Sequence, residues 1–155
     1  MLLIIVTVLV IISAAMHVYT DHKKRRFLIY IFKPLAVSLI IFLGLIQPTE
    51  VSSTYRYFII SGLVFALMGD IFLMLPKDRF LYGLACFLVT HIFYIFAFIS
   101  ENGFSQNFIY LFPGLVVGVI ILRLVLPHAG NKTIPVIIYS TILVLLLWQA
   151  LGRLE

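Results

Sequence analysis

The sequence predicts an all-α fold: a polytopic bundle of about six transmembrane helices forming a single transmembrane domain over residues 1–155. Three observations carry that expectation. The chain is 63% hydrophobic and only 11% charged, with a mean hydropathy of +1.18, whereas a soluble domain is about half apolar and about a quarter charged. Its apolar residues gather in six runs, each close to the roughly 20 residues that a helix needs to cross the hydrocarbon core. The breaks between runs are short and polar, and leave no room for a second, soluble domain.

The six spans follow in order. The first, about 2–19, has no positive charge ahead of its apolar stretch. Its charges come after it, so it reads as a retained helix rather than a cleaved signal peptide. The second, 28–47, contains Pro34 directly after Lys33. The third, 57–75, holds Asp70, and the fourth, 80–99, holds His91 and Tyr94. The fifth, 108–126, carries "GLVVG" at Gly114–Gly118, a spacing that suits close helix contact. The sixth, 134–151, holds Tyr139. The intervening breaks read "TDHKKRR", "PTEVSSTYR", "PKDR", "SENGFSQN" and "PHAGNK". Pro48, Pro76, Pro113, Pro127 and Pro135 fall at or near span ends, where proline is tolerated.

The net charge of +5 does not point to nucleic acid. Four of the eleven Lys and Arg residues form one run, Lys23–Arg26. At the foot of a membrane helix such a run sets topology and attracts anionic lipid. Loop three adds Lys77 and Arg79, and loop five adds Lys132, while the even-numbered loops hold only Arg56. Loops one, three and five are therefore expected in the cytoplasm, with the N-terminus outside, in a multi-pass protein of the cell membrane. The glycosylation pattern at Asn131–Thr133 would then lie on the wrong side to be used. Cys86 stands alone inside an apolar run, so a disulfide framework is excluded and packing is its expected role. No grouping of His, Cys and acids has metal-site spacing, and no nucleotide or nucleophile-elbow motif appears. The expected cofactor and metal content is none. A homo-oligomer is compatible with the sequence.

Asp70 is the anomaly. It lies inside the third span, about 7–8 Å from its end at about 1.5 Å per residue. A carboxylate at a helix centre costs roughly 2.5–3.5 kcal/mol on insertion. The eleven Leu, Ile, Val and Phe residues of that span offset it at about 0.3–0.6 kcal/mol each. Aspartate is too short to snorkel, so it needs a partner or a wet cavity. Gly62, Ala66 and Gly69 lie near its face by helical spacing, so a neighbouring helix can approach and Asp70 points into the bundle. Lys33 enters from the same side at similar depth and is the natural partner, on a face continuing through Val37, Ile40 and Gly44. The bland alternative is a purely structural ion pair, with Lys33 snorkelling; an ionisable group inside the membrane is otherwise a functional-site hypothesis. On the fourth span, Gly83, Phe87, His91, Tyr94 and Phe98 recur at helical spacing, so His91 and Tyr94 can share one pocket wall. Tyr139 enters at the depth of Lys33 and Asp70 and is expected to complete their cluster. His17, His22 and His128 are assigned to helix ends or loops.

Four segments occur in a telling order: Lys33–Pro34, "GDIFLML" at Gly69–Leu75, "FLYGLACFLVTHIFYIFAF" at Phe80–Phe98, and "PVIIY" at Pro135–Tyr139. Together they resemble the YhhN family of membrane proteins, the lysoplasmalogenases, from about the second helix onward. The resemblance implies a bundle of eight helices and hydrolysis of the vinyl-ether bond of lysoplasmalogens to a fatty aldehyde and a glycerophospho-base. It implies Asp70 as a catalytic acid, and Lys33, His91 and Tyr94 as pocket residues. It also implies a further helix pair bearing a second aspartate, whereas this sequence ends at "WQALGRLE"; the expectation is a truncated member. Asp21, Glu50, Asp78, Glu101 and Glu155 are assigned to loops or the chain end and cannot stand in.

Vinyl-ether hydrolysis begins with a proton delivered to carbon, giving an oxocarbenium ion to which water adds. A protonated carboxyl suits the first step, and burial favours that form. A second carboxylate would stabilise the cation or activate water, as paired carboxylates do for glycosides. With Asp70 alone, weak or absent activity is expected. The substrate would enter laterally, with its head toward the cytoplasm. Two other readings stay open. One is a transporter or small-molecule binder lined by Lys33, Asp70 and His91, which broken helices and internal symmetry would favour. The other is an inactive remnant of the family.

Overall fold

The computed structural model describes residues 1–47, 50–76 and 79–154. Pro48, Lys77, Asp78 and Glu155, assigned above to loops or the chain end, lie outside the described residues. The fold is all-helical: α1 (Leu2–His22), α2 (Arg26–Ile46), α3 (Ser53–Met74), α4 (Phe80–Asn102), α5 (Leu111–Ala129) and α6 (Thr133–Leu151). Helices of 19 to 23 residues are about 29–35 Å long at about 1.5 Å per residue, which matches the hydrocarbon core. Five uninterrupted helical segments are long and apolar enough to cross a membrane, and the last of these, Phe108–Leu154, is 47 residues long. It is a hairpin. Gly130, at φ +49°, turns the chain, a backbone state that glycine reaches without a Cβ clash. Val144 of α6 then packs back onto Gly114 and Gly118 of α5.

Local chemistry moves several helix ends away from the expected spans. α1 continues past Tyr19 to His22, so Asp21 lies in its last turn rather than in a loop. α3 begins early because the Ser52 hydroxyl caps it, accepting from the Tyr55 amide at 3.2 Å. α4 runs on to Asn102, which places Glu101 within the helix, and stops at Gly103 with φ +75°. α5 starts late because the Asn107 side chain accepts from Ile109 N–H and sets up a 3₁₀ turn over Phe108–Tyr110.

The main helix contacts run in the order α1–α2–α3–α4–α6–α5. The helices alternate in direction along the chain. The tightest seam joins α3 to α4. A methyl at Gly62 would lie 2.5 Å from the Tyr94 ring, one at Gly69 would meet Phe87 at 3.0 Å, and one at Gly83 would meet Leu73 at 2.8 Å. Small residues thus seat the aromatic and aliphatic side chains of the opposite helix. The Thr90 hydroxyl lies 3.0 Å from both Gly62 O and Cys86 O and donates between them. Alongside, Phe65 stacks on Phe93 and Phe58 meets Phe93 at a tilt, with centroids 5.6 and 6.2 Å apart. Val6, Ala97 and Trp148 are the buried apolar residues among those described, while most large aliphatic side chains face outward. That inside-out balance suits helices whose surroundings are as apolar as their own side chains.

Candidate functional site

Asp70 lies on α3, one residue past Gly69. The glycine face itself takes up α4, so Asp70 turns to the adjoining face, where α2 packs. There Lys33 Nζ lies 3.0 Å from Asp70 Oδ1, with the two side chains 25% and 14% exposed. Gly44 meets Ile60 further along the same seam, with 3.7 Å for a methyl built at Gly44. Lys33 and Gly44 thus share one face of α2, as their spacing requires. α2 stays helical through Pro34, and the Tyr30 hydroxyl donates to the Met74 carbonyl, tying α2 to the last turn of α3.

Lys33 also forms part of the wall of a polar cleft of about 490 Å³. The cleft lies among the ends of α1, α2 and α3, and its polar lining is His17, Asp21, Arg26, Tyr30 and Lys33. His17 Nδ1 is buried without a hydrogen-bond partner. His17 lies in the last two turns of α1, at the helix end to which it was assigned; its place in the cleft was not foreseen. A signal was present in the sequence. Ser13, His17 and Thr20 recur on one face of α1 at helical spacing, and Ser13 and Thr20 are buried against the bundle, at 3% and 0% exposure.

His91, Tyr94 and Tyr139 form a second cluster. His91 Nδ1–H donates to the Phe87 carbonyl, which leaves Nε2 as an acceptor. The His91 ring meets Tyr139 edge-on at 5.4 Å and Tyr94 at 6.5 Å. Tyr139 therefore joins His91 rather than the Lys33–Asp70 pair, because α6 packs on α4 and not on α2. Beyond Tyr94, an apolar cleft of about 400 Å³ runs between α4, α5 and α6 past Gly114 and Gly118. Among the described residues no group of three or more His, Cys, Asp or Glu side chains could hold a metal ion.

Spanning-length apolar helices with an ion pair between two of them define a multi-pass membrane protein with an intramembrane polar site. The YhhN family model matches residues 28–155, and the chain belongs to the YhhN family. It is 25% identical over 141 residues to the Escherichia coli O157:H7 membrane protein YhhN, covering 91% of this chain and 67% of that protein. It is 34% identical over 118 residues to the Homo sapiens lysoplasmalogenase TMEM86B, covering 72% of this chain and 47% of that protein. A lysoplasmalogenase homolog of Dictyostelium discoideum is 42% identical over 74 residues, 47% of this chain and 24% of that protein. The chain thus spans about two thirds of the bacterial relative and about half of the human one. No solved structure matches it.

Proposed function

We propose that this chain carries lysoplasmalogenase-type chemistry, hydrolysing the vinyl-ether bond of a lysoplasmalogen with Asp70 as general acid. The observation that carries the reading is the 3.0 Å Lys33–Asp70 contact at the edge of a polar cleft between apolar helices. Relatives named lysoplasmalogenase supply the substrate class.

The pair can run the reaction with its own proton. Lys33 passes a proton along the Nζ–H···Oδ1 bond to Asp70, and the Asp70 carboxyl gives it to the β-carbon of the vinyl ether. The carbon–carbon double bond becomes an oxocarbenium ion beside the carboxylate just formed, which stabilises it. Water adds to the cationic carbon while Asp70 takes up its proton, as an acid that turns base does in retaining glycosidases. The hemiacetal then collapses to aldehyde and glycerol hydroxyl, and the proton returns to Lys33. Charge and protons balance over the cycle. His91, Tyr94 and Tyr139 would shape the neighbouring wall. The cations of loops one and three support cytoplasmic placement of the cleft end, with the N-terminus outside.

The test is aldehyde release from a lysoplasmalogen by the purified protein in lipid nanodiscs. Asp70→Asn should abolish it in a protein that still folds, whereas full activity in that variant would refute the role. Solute flux through proteoliposomes without any hydrolysis would replace the reading with a transporter.

A further inference from the structure

The polar cleft contains more charge than the acid–base pair uses. Arg26 and His17 stand on its wall beside Lys33, and Asp21 stands with them. Cations at the foot of a membrane helix are explained by topology alone. Their grouping around one cleft with Asp21, beside the lysine that meets Asp70, is not. The cleft is also bounded on one side by the Tyr30–Met74 hydrogen bond, so its walls are fixed to one another.

We infer that this cleft is the seat of a zwitterionic phospho-amine head group, with Arg26, Lys33 and His17 on the phosphate and Asp21 on the ammonium. The inference rests on the hydrolase reading for the identity of the lipid, and it adds the residues that choose the head. Geometry supports it. Seven covalent bonds separate the phosphorus of a lysoplasmalogen from the carbon that takes the proton. That is roughly 8 Å at the about 1.2 Å per bond of an extended chain. Lys33 belongs to the cleft wall and also touches Asp70, so a phosphate held there sets the vinyl ether within reach of the acid. The charge pattern supports the head-group class: three basic groups suit a phosphate, and one carboxylate beside them suits an attached amine better than a bare phosphate.

The experiment separates binding from chemistry. Its probe is a saturated 1-O-alkyl lysophosphoethanolamine, which has the head group but no bond to cleave, titrated onto the protein in nanodiscs of neutral lipid. Arg26→Gln, at an exposed helix end, should weaken its Kd about tenfold, in keeping with loss of one charge-assisted contact, and His17→Asn should weaken it further. Binding should loosen as salt rises. Asp21→Asn should erase the preference for the phosphoethanolamine lipid over the same lipid with a bare phosphate head. Glycerophosphoethanolamine should displace the probe at lower concentration than inorganic phosphate. A Kd unchanged in Arg26→Gln and His17→Asn, or equal displacement by inorganic phosphate, overturns the inference. If those variants bind as wild type while Asp70→Asn alone stops hydrolysis, the subsite fails and the hydrolase stands. If the charge-dependent binding appears but wild type releases no aldehyde, the hydrolase reading fails and the subsite stands.

Discussion

The two ends of the bundle carry polar side chains in different ways. At the end formed by the α2–α3 and α4–α5 connections, the charged groups Arg56, Glu101 and Arg153 are engaged in structure, although Ser105 Oγ and Gln149 Nε2 are buried there without a hydrogen-bond partner. Arg56 donates through Nε to Gly44 O at 2.9 Å and through a terminal nitrogen to Leu45 O, closing the C-terminus of α2. Glu101 accepts from the amide and hydroxyl of Ser52, the latter at 2.6 Å. The Arg153 guanidinium lies over Tyr55 and Phe98, 4.7 and 5.1 Å from their centroids. Trp148 Nε1 donates to Asn107 O at 3.0 Å. At the opposite end, His17, Asp21, Arg26 and Lys33 line a cleft, and the Lys33–Asp70 contact is the ion pair found among the described residues. Helix ends leave unsatisfied backbone groups that side chains must meet. Where they do so, the polar residue has a structural explanation. Where charges face open space, that explanation is incomplete, and chemistry or a ligand is the better account.

The largest effect that sharpens this contrast is at Asp70. Asp70→Asn keeps the shape and a hydrogen bond to Lys33 but loses the transferable proton, so aldehyde release should fall by about 10²–10⁴-fold, the usual share of a general acid. Thermal unfolding in detergent should show the variant folded. A folded and fully active variant would place the chemistry elsewhere. Lys33→Arg comes next. Arginine keeps the charge but does not give up its proton, so lysolipid binding should persist while turnover falls about 10–100-fold, within the range of acid–base contributions. Equal turnover in the arginine variant would reduce Lys33 to a fixed counter-charge.

How much of this was legible in the chain differs by feature. The helices were, because apolar runs with polar, proline-marked breaks leave little choice in a bilayer. The Lys33–Asp70 pair was as well, since equal depth and helical phase put both charges on facing stripes. The neighbour order was not. Depth along its span puts Tyr139 level with Lys33 and Asp70, but only packing decides whether α6 lies on α2 or α4. The face of α4 likewise divides: Gly83, Phe87 and Tyr94 meet α3, while His91 turns toward Tyr139. Asp70 was read as sharing the glycine face, which instead admits aromatic rings from α4. His17 was placed at the end of the first helix, where it lies, but its share in a cleft with Asp21 and Arg26 depends on α1 running on past Tyr19.

At the capped end the order of effects should invert, with stability moving and chemistry staying. Arg56→Met removes two donors from the carbonyls of Gly44 and Leu45, which should lower stability by about 1–3 kcal/mol, seen as an earlier melt with turnover per folded molecule unchanged. A loss of turnover without a loss of stability would mean that the two ends are coupled through α2.

The smallest effect is expected at Glu101. Its carboxylate backs up a cap that Ser52 already provides, since the Ser52 hydroxyl accepts from Tyr55 N–H on its own account. Glu101→Gln keeps an acceptor oxygen for the Ser52 amide and gives up only the charge-assisted part of an exposed contact. The loss should stay below about 1 kcal/mol, the typical worth of a whole helix cap, and should shrink further as salt screens the charge it replaces. Asp21→Asn at the other end exchanges the same kind of exposed carboxylate in a last helical turn, so the pair forms an internal control. If the ends differ as their surroundings indicate, Glu101→Gln shifts the melting temperature slightly and leaves head-group preference alone, and Asp21→Asn does the reverse. Two variants with the same response would mean that exposure, and not the cleft, governs what these acids do.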